Sequence, residues 1–449
     1  MSIKKSPIDE AILESNDQKR TIDISSGIIS IDYYEDIFSP TITTKIRVLN
    51  DGNSIQAPNA EGDPDGAKQS IYNGLPLRGG ERLSLKIAGN SNKNPGLDFS
   101  KGEDDYLYVS SIVDVVSEPQ RETFQLHLTS REAITNETVR IPKKYPTSST
   151  IDASVEDILK EYLKTDKIGT IDKSQNRYGF IGNLRKPFTV LVWLASKGVP
   201  DISGNATAGF VFYQTKDGFQ FRSIDKLITQ ESKAEYTYSG STESYTEDAK
   251  QIDNDFNILN YSTDKNQNLI EKLRLGAYSS YRMFFNPLTF EFTPPEKGLF
   301  KLDDYVSKTK NLGDQLKLPK ISSSSNVDLG SVPTRILTQC LDIGTMEKDV
   351  STEGNSDPFK YQSQAIMRYN VLFTQTLSVV VSSNTNLRAG DVITCKFPKI
   401  SSGDKEEFDE EQSGLYMIKE LCHHFDTTNS YTSLKLIRDT FGRYGTNNK

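Results

Sequence analysis

The sequence predicts a mainly β protein: antiparallel strands in two zones, with an α+β insertion between them. Three observations carry that expectation. Apolar and polar residues alternate with a period of two across most of 21–135 and again across 372–439, as half-buried strands do. The aromatic residues are 21 Tyr and 21 Phe against the single Trp193, and Tyr and Phe suit sheet surfaces. Between Ile134 and Thr229 the period changes to helical spacing.

Taken in order, the chain opens with an expected N-terminal arm over 1–20. Over 21–135, short strands bounded by Gly, Asn and Pro predict an antiparallel barrel or sandwich. Leu83, Leu85 and Ile87 point one way there, while Arg82, Ser84 and Lys86 point the other. Asp51–Gly66 reads as a loop, and Arg78-Gly79-Gly80-Glu81 as a turn feeding a strand, since no Lys-Ser/Thr follows it. Over 136–235 the reading is a small α+β unit. Ser154 is the expected cap of one helix, a second starts near Phe188-Thr189, and Phe210–Arg222 forms a hairpin around Lys216-Asp217-Gly218.

The stretch 236–300 reads as the first part of a second β unit, with strands at Ile258–Tyr261, Leu269–Leu275 and Tyr278–Phe285. Leu288, Phe290 and Phe292 continue the alternation. Over 301–360 an excursion is expected, with flexible loops at Lys308–Val327 and Glu347–Asp357. A helix near Tyr361–Phe373 then leads into the remainder of the second β unit, 361–449. In that last quarter Leu377, Val379 and Val381 share one face, and Asn384–Arg388–Ala389–Gly390–Asp391 lies at the central turn.

Bulk properties narrow the function. A chain of 449 residues has room for two to four domains, and a net charge of −8 argues against binding driven by nucleic-acid phosphates. No apolar run approaches the roughly 18 residues that span a bilayer, and the N-terminus lacks the apolar stretch of a signal peptide. Synthesis and assembly in a cytosol are therefore expected. Cys340, Cys395 and Cys422 are too scattered for a disulfide frame or a metal knuckle.

His423-His424 beside Cys422 is the one cluster that resembles a metal site, but neighbours on a strand face opposite ways and cannot share an ion. The acidic run Asp404–Glu411 lacks calcium-loop spacing and reads as a solvated hairpin tip. Hydrolase and zincin motifs do not occur. The sequence thus assigns no catalytic, cofactor-binding or metal-ligating residue, and no enzyme activity is expected. Arg82, Lys86, Arg121 and Arg131 give only weak support to a carbohydrate- or single-strand-binding barrel, because acids interleave them.

Two segments carry a resemblance. One is Tyr33-Tyr34-Glu35-Asp36-Ile37-Phe38-Ser39-Pro40 with Ile71-Tyr72-Asn73-Gly74-Leu75-Pro76-Leu77-Arg78-Gly79-Gly80-Glu81. The other joins Leu387-Arg388-Ala389-Gly390-Asp391-Val392-Ile393, Ser413-Gly414-Leu415-Tyr416-Met417-Ile418 and Leu434-Lys435-Leu436-Ile437-Arg438-Asp439. Together they resemble the baseplate hub proteins of contractile-tailed bacteriophages, a group that includes late-control tail proteins and the N-terminal part of type VI secretion spike proteins.

The resemblance implies two tube-type antiparallel β-barrels per chain, and a homotrimeric ring of six similar barrels that adapts a six-fold tail tube to a three-fold central spike. It further implies a tube or tube-initiator protein on one face, the spike on the other, wedge proteins at the periphery, and DNA passing through the lumen without specific binding. The virion would be its location, and the hub of a related contractile injection device is the alternative. The barrel strands would offer edges to neighbouring subunits. Some relatives fuse a lysozyme domain or a β-helical needle; here such functions are expected in a separate spike protein.

Overall fold

The computed structural model describes residues 4–51, 55–56, 68–75, 77–202, 207–238, 256–264, 269–302, 311–313, 318–322, 326–343, 358–399, 408–440 and 442. The expected loop at Glu347–Asp357, the expected loop at Asp51–Gly66 apart from Asp51 and Ile55–Gln56, and the first half of the acidic run Asp404–Glu411 lie outside these residues.

The first β unit contains β1 (Ile8–Glu14), β2 (Thr21–Asp23), β3 (Ile28–Asp36) and β4 (Thr43–Asn50), the short pair β5 (Ile55–Gln56) and β6 (Lys68–Gln69), and the helical turn α1 (Ile71–Gly74). It continues through β7 (Arg82–Ile87), β8 (Leu97–Asp98), β9 (Leu107–Glu118) and β10 (Arg121–Thr129). The strands run in the order β3-β4-β10-β9-β7-β1-β2, antiparallel throughout. Their alternation buries Ile31, Tyr33, Ile46, Val48, Leu83, Leu85, Leu126 and Leu128 in one core. The segment expected as an arm contributes β1, whose Ala11 and Leu13 are buried in that core. The charges of Asp9 and Glu10 obscure a strand that β7 makes evident by pairing. At Arg78–Glu81 the predicted turn is present: Gly79 and Gly80 have φ of +96° and +94°, and the buried Glu81 carboxylate accepts from the Arg78 and Gly79 N–H groups.

The α+β unit contains α2 (Arg131–Thr138), β11 (Lys144–Tyr145), α3 (Ile151–Glu161), β12 (Ile168–Ile171), β13 (Phe180–Ile181), α4 (Pro187–Ala195), β14 (Phe210–Thr215), β15 (Gly218–Ser223) and α5 (Ile224–Ile228). The β14–β15 hairpin occurs where the turn residues predict it. Its aromatic residues Phe210, Phe212, Phe219 and Phe221 pack beneath α3 and α4. Ser154 is not the cap: α3 begins three residues earlier, Thr150 holds the N-cap position, and the Ser154 hydroxyl donates back to the Thr150 carbonyl. The expected start of α4 moves to Pro187, whose missing N–H costs nothing at a first helical position.

The second β unit uses β16 (Glu235–Thr237) and β17 (Ile258–Asp264) before a small lobe of α6 (Leu269–Leu275), β18 (Ser279–Asn286), β19 (Glu291–Phe292), α7 (Pro295–Gly298), β20 (Leu299–Lys301) and β21 (Arg335–Cys340). Helix α8 (Pro358–Val371), β22 (Gln375–Ser382), β23 (Val392–Lys396), β24 (Gly414–Asp426) and β25 (Ser430–Arg438) complete it. Leu269–Leu275 is a helix rather than the expected strand. Leu269 and Leu273, one helical turn apart, pack on Tyr278 and Phe300, and the alternating Leu273 and Leu275 misled. Of the alternation expected over Leu288, Phe290 and Phe292, a strand forms at Glu291–Phe292 alone, because Phe290 sits in a turn at φ +59° with its side chain 78 % exposed. Within the expected Lys308–Val327 excursion, Leu312 is instead buried against Ile437 and Met417.

Six strands, in the order β16-β23-β24-β25-β22-β17, surround the second core of Leu377, Val379, Val381, Ile393, Tyr416, Ile418, Leu434 and Leu436. A parallel bridge between Thr237 and Asn257 links the two ends of this path. The shared strand β24 joins the two β units. Its first residues pair with β23 and its last with β3, and β25 runs along its other side. The change of partner falls at Lys419, where the β24–β25 register slips by one residue between Ile418 and Glu420. The result is one 14-stranded sheet through both units, in which β3 and β24 pair with each other within the chain.

Candidate functional site

Two of the segments that carried the resemblance meet at the turn 384–391, between the two β units and the α+β unit: β3, through Glu35, and Leu387–Asp391. Alternation along β3 places Ile31, Tyr33 and Glu35 on its inward face, so Glu35 is carried into the interior. Its carboxylate accepts from three directions. One oxygen takes the Tyr33 hydroxyl at 2.8 Å and the Lys216 N–H of the β14–β15 turn at 2.7 Å. The other takes the Ala389 N–H at 2.9 Å. One buried side chain thus ties together all three units. Burial raises the Glu35 pKa, while Arg388 and the donated N–H groups work against that rise.

Arg388 reinforces the junction. Its guanidinium donates to Asp217 at 2.8 Å and back to the Thr385 and Leu387 carbonyls, and its own N–H is held by Asp391 at 2.7 Å. Gly390 has φ +90°, and a Cβ there would stand 2.4 Å from the Tyr213 hydroxyl of β14, so a side chain is excluded by both conformation and space. On the other side of the turn, Asn94 accepts the Thr385 N–H at 3.0 Å and donates to the Ser383 carbonyl at 3.1 Å. The turn is therefore clamped to the first β unit from both flanks.

The other motif residues act as buried fasteners. Arg438 lies over the Tyr416 ring at 4.4 Å and donates to Gln375 at 3.1 Å and to the Ser413 carbonyl at 3.2 Å. Arg368 of α8, fully buried, pairs with Asp225 of α5 at 2.9 Å and with Asp439 at 3.3 Å. Asp439 also takes the Leu312 N–H at 3.0 Å. Burial raises the Asp439 pKa, opposed by Arg368.

His423 and His424 face opposite sides of β24, as the strand period requires. His423 is buried, meets the Thr432 hydroxyl at 3.0 Å and stacks on Tyr33. Burial, and after it the Arg388 charge, push its pKa down to about 3. His424 instead sits between Asp32 at 2.6 Å and Asp426 at 3.3 Å, and those bonds raise its pKa. Cys395 is buried in the second core, whereas Cys422 lies beside Asp32.

A pH prediction follows from His423. Neutral in the fold and protonated in the unfolded chain below its usual 6.5, it makes stability fall with falling pH, by about 1.4 kcal/mol per unit between those values. Urea unfolding at pH 7, 6 and 5 should show wild type losing stability relative to His423→Gln by about that slope. Parallel profiles would refute the assignment.

The sequence matches no protein-family model and no curated protein. Solved structures do match. A tail protein from Neisseria meningitidis MC58 superposes with TM-score 0.52 at 10 % identity, covering 95 % of this chain and 96 % of that one. The 43 kDa tail protein of prophage MuSo2 from Shewanella oneidensis gives 0.50 at 10 % identity, over 96 % of this chain and 98 % of its own. The chain has the fold of a phage tail protein. Position alone could have found Glu35: its inward place in the β3 alternation marks a buried carboxylate that needs partners.

Proposed function

We propose that this protein is a structural hub subunit of a contractile phage tail baseplate. In this reading three copies form a ring, each giving two β units, so that six similar units meet the six-fold tube and three-fold symmetry meets the spike. DNA passes through the lumen, and the protein resides in the virion as a non-enzymatic part. The carrying observation is the single sheet that passes through both β units across the β3–β24 pair. A sheet continuous through both units holds them in a fixed relation, which supports a pseudo-six-fold ring of three chains. The charge is compatible: three copies at −8 each would total about −24, which disfavours DNA adhesion.

Light scattering should give a mass near three times 50.3 kDa, and negative-stain images should show a three-fold ring with a central hole. A stable monomer that binds glycan would overturn the reading. The tube or tube-initiator protein and the spike are the expected partners on opposite faces, with wedge proteins outside.

A further inference from the structure

The sheet of the small lobe has one face packed and the other open. On the packed side Tyr278 and Phe300 meet Met367 and Val371 of α8, and Gln362 of α8 donates to Gln339 of β21 at 3.1 Å. Along β18 the buried Ser280, Arg282 and Phe284 alternate with Tyr281, Met283 and Phe285, so the latter three share the opposite face. Strand register extends that face to both neighbours: Ile336 of β21 lies beside Tyr281, and Phe292 of β19 lies beside Phe285. The Phe285 ring meets that of Phe292 at 5.1 Å and that of Phe290 at 6.1 Å. Ile336 is 66 % exposed and Phe292 56 %, and none of these six side chains carries a charge.

Three further features mark this face. Phe290 holds a left-handed backbone, which glycine accepts and a bulky side chain resists, while its ring stands in solvent beside Phe285. The outer edge of β21 faces no strand among the described residues, so its backbone groups are open beside the same surface. Nearly half of the exposed large apolar side chains among the described residues lie between residues 270 and 336. The apolar surface left to bury is thus concentrated on and around the lobe, rather than on the walls of the β units.

Area and polarity decide what covers it. At about 200 Å² for a fully exposed large side chain, the face offers roughly 500 Å², more than one inserted side chain could cover. Matched by an equal area of a folded neighbour it buries about 1,000 Å², where specific contacts between chains begin. Contacts between permanent copies of one chain are the more apolar kind, and a face without charge fits that kind. We propose that this face is a contact between copies of the protein, each small lobe packing against the next copy. The proposal rests on the ring reading above and names the surface that holds the ring together.

The test is light scattering of the full chain over a dilution series. Maleimide labelling of Cys340, exposed on the same face beside Phe285 and read by peptide mass, is the local reporter. Wild type should be trimeric, with Cys340 protected relative to the monomer reached on dilution. Ile336→Lys places a charge in the contact and should be monomeric where wild type is trimeric, with unchanged far-ultraviolet dichroism. Phe290→Gly removes the ring and relieves the backbone, so it should fold and weaken assembly by about tenfold or more. That variant carries the test if Ile336→Lys does not fold. Val116→Ser, at an exposed position of the first β unit, should leave assembly unchanged. A trimer that both variants form like wild type, with Cys340 labelling freely, overturns the proposal, leaves the ring standing and gives the face to a different partner. A wild-type dimer that the variants dissolve supports the face as a contact between copies and overturns the ring. A wild-type monomer at every concentration overturns both.

Discussion

Replacing Glu35 by Ala is expected to destabilise the protein by about 3–5 kcal/mol, because it removes the acceptor of three buried donors at once. The Lys216 and Ala389 N–H groups and the Tyr33 hydroxyl would be left facing a void, and Arg388 would keep only Asp217 as its acid. Glu35→Gln should cost roughly half as much, since one amide end can still accept while the other opposes an N–H. The donors come from different units, so the loss should not stay local. Trp193 reports the α+β unit and far-ultraviolet dichroism reports the sheet, and both transitions should move to lower urea together. A change below about 1 kcal/mol, or one confined to a single probe, would show that Glu35 does not fasten the units.

Removing the charge of Arg368 should have an effect of similar size. Arg368→Met keeps the volume of the side chain but leaves Asp225 and Asp439 buried without their cation, at a cost of about 3–5 kcal/mol at neutral pH. The sign of its pH dependence is fixed. Asp439 already has a raised pKa in the fold, and losing Arg368 raises it further. The variant's deficit is therefore smallest in acid, where Asp439 is protonated in both states, and grows as pH rises past the usual carboxylate range. Adding Asp439→Asn to Arg368→Met should recover part of the loss, because an amide can be buried uncharged. Unfolding of the single and double variants at pH 5 and 7 checks both points. A deficit that grows toward acid would contradict the pairing.

Much of this fold is legible in the sequence because strand alternation is a local signal. Leu377, Val379 and Val381 announce their shared face to any reader of their own segment, and all three are buried together. The hairpin at Lys216-Asp217-Gly218 is likewise written in adjacent residues. Helix α6 failed for the opposite reason: seven residues hold too few turns for helical and strand periods to separate, and its packing partners decide between them. The junction is legible only in part. Glu35 and Arg388–Asp391 lie in the segments that carry the resemblance, but Ala389 meets Glu35 across 354 positions, and Asn94 and Thr385, outside those segments, meet across 291. No window of sequence contains such a pair.

The shared strand has a mechanical consequence. Between Glu420 and Asp426, β24 is paired with β3 at seven successive positions, from Asp36 to Ser30. Tension applied along that strand direction loads all of those backbone bonds in parallel, so separation demands their simultaneous failure. Force across the strands would instead open them one after another, beginning at an end. A sheet built this way is stiff along one axis and weaker along another. Its strong axis is set by the direction of a single strand, and the Lys419 slip marks where load passes from one β unit into the next.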